Sequence, residues 1–106
     1  MAKLSNKSAT GTSFHGHTVK ATPNQLIEVL GEPQFGCNDG QDKTNFDWVC
    51  ETQDGEVFTI YDWKEYEPLD MDTYYTFHIG AHCGGTAARG LTEILRLLLN
   101  LPSEPE

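Results

Sequence analysis

Two alternating runs joined by Gln53-Asp54-Gly55-Glu56 constrain this chain more than any other feature. Asp-Gly lets a backbone reverse within two residues, and between β-branched and aromatic residues it marks a hairpin. The runs are Thr44 to Thr52 and Glu56 to Trp63. A two-residue turn fixes the register, and the register fixes which side chains share a face. Thr52 then faces Val57, Cys50 faces Thr59, Trp48 faces Tyr61 and Phe46 faces Trp63 on one side. On the other, Glu51 meets Phe58, Val49 meets Ile60 and Asp47 meets Asp62. Two facing carboxylates need a cation, a shared proton or open water, so Asp47 and Asp62 mark either an acid-base pair or the sheet margin.

The flanking segments complete an α+β pattern. Ser13 to Ala21 alternates as a strand, with His15, His17 and Val19 on one face and Phe14, Gly16, Thr18 and Lys20 on the other. Thr22 as N-cap, Pro23 at the first helical position and Gln25 three residues after Thr22 announce a helix. Leu26, Ile27, Val29 and Leu30 form its buried stripe, and Gly31 with Pro33 ends it. A polar loop from Phe35 to Lys43 leads into the hairpin, and a second from Lys64 to Thr73 leads out of it. Tyr74 to His82 is a further strand with Tyr75, Phe77, Ile79 and Ala81 on its apolar side; Thr86 to Asn100 is a leucine-rich helix with Pro102 beyond it. The expected order is β-α-β-β-β-α, an antiparallel sheet with two helices packed on the face that carries Val49, Phe58, Ile60, Phe77 and Ile79. Glycine fingerprints of a doubly wound nucleotide-binding sheet are absent.

At 106 residues the chain has room for one core. Residues 1–12 are nearly all small or polar and are expected to be a flexible N-terminal arm, residues 13–102 the single domain, and residues 103–106 a short acidic tail. No stretch approaches the ~20 apolar residues of a membrane span, and no apolar run follows the first lysines, so a cytoplasmic location is expected. Cys37, Cys50 and Cys83 are odd in number and widely spaced, which fits reduced thiols. Seven basic against sixteen acidic residues give a formal charge of −9, which repels nucleic acids and anionic membranes and favours a basic protein surface.

With the hairpin and the later strand side by side, Phe46, Trp48, Tyr61, Trp63, Tyr74 and His78 fall on what reads as one aromatic face, a residue mix that dominates binding hot spots. His15, His17, His78, His82 and Cys83 are the residues able to ligate a metal if two strands bring them together, although their spacing matches no zinc pattern. The segment His82-Cys83-Gly84-Gly85-Thr86-Ala87-Ala88-Arg89 resembles the phosphate loop of cysteine-dependent tyrosine phosphatases. That resemblance implies Cys83 as nucleophile and Arg89 as phosphate ligand, with amides at a helix start completing an anion site. Thr86 stands where that family has glycine, and Gly90 where it has Ser or Thr.

From Phe14 to Leu99 the chain resembles a scattered group of small bacteriophage-encoded proteins. Thr22-Pro23-Asn24-Gln25-Leu26, Leu30-Gly31-Glu32-Pro33, Thr59-Ile60-Tyr61-Asp62-Trp63-Lys64 and Phe77-His78-Ile79-Gly80 carry the resemblance. It implies a non-catalytic, cofactor-free binding protein that blunts a host antiviral defence. Two routes are open: docking of the acidic surface on a host effector, or capture of a nucleotide second messenger. Trp48, Tyr61, Asp62, Trp63, His78 and Arg89 are the expected contact residues. The alternatives are a phosphatase-like enzyme and a His/Cys metal-binding protein, and the leucines of the last helix allow a homodimer.

Overall fold

The computed structural model describes residues 2–35, 44–63 and 67–101. Cys37, most of the loop after Phe35, the first residues of the loop after Trp63, Pro102 and the acidic tail lie outside the described residues. The element order is β1 (Lys3–Leu4), β2 (Ser13–Ala21), α1 (Pro23–Leu30), β3 (Asp47–Glu51), β4 (Val57–Tyr61), β5 (Tyr75–Ala81) and α2 (Gly84–Leu99). The five strands form one antiparallel sheet in the order β1-β3-β4-β5-β2. This is the expected α+β architecture with both helices on one side of the sheet. Among the described residues no helix is long and apolar enough to cross a membrane.

The helix start is built as its residues dictate. Thr22 Oγ1 accepts from the Gln25 amide at 3.0 Å while Gln25 Oε1 accepts from the Thr22 amide at 3.0 Å, a reciprocal capping box with Pro23 inside it. Helix α2 begins at Gly84, two residues before the expected start, with Cys83 as its N-cap.

The hairpin differs from its expected register by one residue. Thr52 N donates to Glu56 O at 2.9 Å and Gly55 N to Thr52 O at 2.8 Å, so the loop holds three residues, Gln53 to Gly55. Gly55 has φ +83°, the left-handed position that such loops reserve for glycine. Partners across the hairpin are therefore Glu51 with Val57, Cys50 with Phe58, Val49 with Thr59, Trp48 with Ile60 and Asp47 with Tyr61. A one-residue slip reassigns every facing pair. Asp47 and Asp62 do not face each other, and Trp48 does not face Tyr61.

Beneath the helices lies a core of Trp48, Cys50, Phe58, Ile60, Phe77, Ile79 and Ala81, all fully buried, with Leu26, Ala87 and Ile94 from the helices above. Phe58, Ile60, Phe77 and Ile79 occupy the covered face as expected. Val49 does not: it pairs with Thr59 and lies on the opposite face. Helix α2 crosses β2, β5 and β4 and comes closest at Gly90, where a Cβ would stand 2.7–2.9 Å from the Phe58 ring.

The first residues do not form a free arm. Lys3 and Leu4 pair with Glu51 and Cys50 as the edge strand β1, Ala2 and Ser5 are buried, and Ser5 N donates to Val49 O at 2.9 Å. Gln34 continues this edge like an extra peptide group, accepting from Val49 N at 3.0 Å and donating to Val49 O at 2.8 Å and Ser5 O at 3.1 Å. The cause is the unpaired side of β3, whose amides and carbonyls need partners, and Ala2 and Leu4, packed on the core, anchor a segment that reaches it.

Candidate functional site

The face of the sheet turned away from the helices carries two rows fixed by the register. Asp47 lies opposite Tyr61, Tyr61 opposite His78, and His78 opposite Thr18; Val49, Thr59, Gly80 and Phe14 form the neighbouring row. Because Gly80 has no side chain, the Phe14 ring leans diagonally onto His78, with centroids 4.3 Å apart and planes 22° from parallel. Tyr61 meets His78 edge-on at 5.6 Å and Trp63 at 6.1 Å, while Trp63 and His78 lie 6.5 Å apart and nearly parallel. His78 is the hub of this cluster. Phe14 and Trp63 remain 44% and 42% exposed, so the rings offer a surface rather than a core.

Strand β2 reaches this place through a bulge. Between Phe14 and Thr18 it runs four residues where β5 runs two, from Gly80 to His78. Two extra residues preserve the alternation, which is why Phe14, Thr18 and Lys20 still share a face. The bulge turns His15 aside, and its Nε2 lies 3.0 Å from Ala81 O and 3.4 Å from Ser13 Oγ.

Beside the rings opens a cavity of about 260 Å³ lined by Tyr61, Trp63, Asp47, Thr59 and Gly80 and by the N-terminal segment at Ala9 and Thr12. Gly80 forms part of this lining because nothing larger fits: a Cβ there would be 2.6 Å from Thr59 Oγ1. Asp47 Oδ1 is buried and, among the described residues, has no hydrogen-bond partner. Burial, and after it the charge of Asp62, pushes the Asp47 carboxyl up to about 6. Burial and then the Asp47 charge raise Tyr61, and the same two causes push the Cys50 thiol up.

Asp62 behaves differently because the register turns it inward. Fully buried, it accepts from Asn45 N at 2.7 Å, Phe46 N at 2.8 Å and Asn45 Nδ2 at 3.1 Å. Its carboxylate holds the backbone just before β3 and is not on the open face. Trp48 is likewise in the core, its Nε1 donating to Gly31 O at 2.9 Å and its ring against Phe46 and Phe77. Phe46 lies on the same covered side, and Tyr74, 57% exposed, accepts from Gln25 Nε2 beside α1. The expected single aromatic face is thus divided, and Tyr61, Trp63 and His78 are the expected contact residues that the structure brings together. Phe14, Thr59, Gly80 and Asp47 complete the site; the signal for Phe14 was its place on the outward alternation of β2.

Arg89 sits elsewhere. It reaches Glu56 Oε1 at 2.9 Å and Asp54 Oδ2 at 3.1 Å, at the turn end of the hairpin, whereas Tyr61 is five residues further along β4, roughly 17 Å at the usual rise. Thr86 Oγ1 donates to the other Glu56 oxygen, and the Glu93 carboxylate accepts from Gln53 N at 3.0 Å. Lys7 Nζ donates to Gly55 O at 2.7 Å and lies 3.6 Å from Glu51. These groups clamp the turn. Glu56 thus engages the Thr86 hydroxyl and Arg89, the residue the phosphate-loop resemblance implies as phosphate ligand. The Cys83 thiol, exposed and 3.4 Å from Thr86 Oγ1, is lowered chiefly by that hydroxyl.

The histidines do not converge on a metal site. His15 is turned to the Ala81 carbonyl, His78 is stacked on Phe14, and His82 lies against Gly11. Neither His17 nor Cys83 joins them, and among the described residues no three His, Cys, Asp or Glu side chains are grouped to hold an ion. Comparison of the chain with protein-family models, with curated proteins and with solved structures returns no match.

Proposed function

We propose that this chain is a non-catalytic binding protein that recognises a basic protein surface through the open face of its sheet. The observation that carries the reading is the ring cluster of half-buried Tyr61 and His78 with exposed Phe14 and Trp63, continuous with a cavity lined by Asp47, on a chain of formal charge −9. Aromatic side chains supply the rigid contact area of a hot spot, and the surplus of carboxylates supplies long-range attraction to a basic partner. The resemblance to small phage proteins makes a host defence effector, met in the host cytoplasm, the class of target. Capture of a nucleotide signal finds less support, because Arg89 is held by Asp54 and Glu56, away from the rings, and Trp48 is in the core.

The test is affinity capture from host extract with the wild-type chain, Trp63→Ala and, as a control on the far side of the molecule, Leu95→Ser. Trp63→Ala should lose most of the captured partner while Leu95→Ser retains it. Capture by the wild type should weaken as ionic strength rises, since attraction across a Debye length of ~8–10 Å is screened. Equal capture by wild type and Trp63→Ala contradicts the reading.

A further inference from the structure

We infer that the cavity beside Tyr61 and Trp63 is a receptor for one arginine side chain of a partner protein, with Asp47 as its counter-ion and the Trp63 ring as its flat wall. This deepens the reading above and rests on it for the biological partner. Size is the first argument. Small-molecule sites occupy ~300–1,000 Å³, and a cavity of about 260 Å³ falls below that range, suited to a single inserted side chain and too small for a nucleotide.

Charge is the second. Among the described residues that line the cavity, Asp47 and Tyr61 are the ionisable ones, and no Lys, Arg or His is among them. Asp47 Oδ1 is buried without a partner among the described residues, with the Asp62 carboxylate adding negative potential behind it. The two basic side chains at the hairpin turn, Lys7 and Arg89, are engaged by Glu51 and by Asp54 and Glu56. Asp47 also lines the cavity, so its carboxylate brings there a negative charge that no ion pair among the described residues offsets, and a cation entering the cavity would pair with it.

Shape distinguishes the two natural cations. Trp63 and Tyr61 meet at 78°, forming a corner whose Trp63 wall is partly exposed. A planar guanidinium stacks on such a ring while donating to a carboxylate beside it from its rigid fork, whereas an ammonium does only part of this. Thr12, Thr44 and Thr59 supply hydroxyl oxygens for the remaining N–H donors.

The experiment is a titration of the isotope-labelled full chain with N-acetyl-arginine amide, followed in amide and indole N–H spectra, with the isosteric but uncharged N-acetyl-citrulline amide as comparison. Arginine amide should give saturable shifts at Thr59, Gly80 and the Trp63 indole, and citrulline amide should bind at least ten-fold more weakly. Asp47→Asn should lose at least ten-fold in affinity for arginine amide, its unchanged Ile60 and Ile79 amides certifying the fold. Trp63→Ala should lose affinity as well. Absence of saturable shifts, equal binding of citrulline amide, unaltered affinity of Asp47→Asn, or shifts confined to the Asp54 and Glu56 turn would each overturn the inference. Capture of a host partner through Trp63 with no arginine response would sink this inference and leave the broader reading intact; an arginine response without capture would do the reverse.

Discussion

Asp47 and Asp62 are the same residue type at the open end of one hairpin, and they are put to opposite uses. Asp62 is buried with three donors around it; Asp47 has a buried oxygen with none among the described residues. Desolvation without compensation raises the Asp47 carboxyl to about 6, above its ordinary 3.8. The sign of the linkage follows. Between about pH 4 and 6 the unfolded chain loses this proton while the folded chain keeps it, so Asp47 makes stability fall as pH rises through that window. Above it the full penalty remains. Asp47→Asn should therefore match the wild type in denaturant midpoint near pH 4 and exceed it near pH 8; an equal difference at both pH values would contradict the assignment. The substitution that stabilises the free protein is the one that should weaken binding, a trade expected where a site holds an unsatisfied group for its ligand.

At the scale of elements, the boundaries of β2 and α1 follow closely from alternation and capping signals, because Thr22, Pro23 and Gln25 act locally. The hairpin is legible in the sequence as a hairpin, but its register is not. Asp54-Gly55 serves either a two-residue or a three-residue loop, and the choice depends on tertiary clamps from Lys7, Thr86, Arg89 and Glu93 that local sequence does not display. That single residue moved Trp48 into the core and left Tyr61 and Trp63 outside. Strand β1 was missed because its pairing is long-range and its residues have little β-propensity of their own. The glycines of α2 expose the packing most directly. Gly90→Ala adds a methyl group within 2.7–2.9 Å of the Phe58 ring, and overpacking of ~1–3 kcal/mol should outweigh the ~1 kcal/mol that alanine gains in a helix. Gly85, with nothing within 4 Å of its would-be Cβ, lacks the clash and should keep the gain. Chemical denaturation of Gly90→Ala and Gly85→Ala should thus give midpoints shifted in opposite directions; a stabilised Gly90→Ala would mean that α2 sits further from the sheet.

Across the whole molecule, the two sheet faces divide the work. One is covered by the helices over the apolar core; the other carries rings, hydroxyls and a carboxylate around a cavity that the N-terminal segment helps to line. A further apolar patch, Leu95 and Leu99, lies on α2 at 43% and 83% exposure. The open face and this patch are separate candidates for contact. The most direct measurement is a residue-resolved amide spectrum of the labelled protein, recorded alone and with the partner captured from the host. Perturbations gathered at Phe14, Thr59, Tyr61, Trp63, His78 and Gly80, with Leu95 and Leu99 unmoved, are what the account predicts. Perturbations confined to Leu95 and Leu99 or to the turn around Asp54 would contradict it.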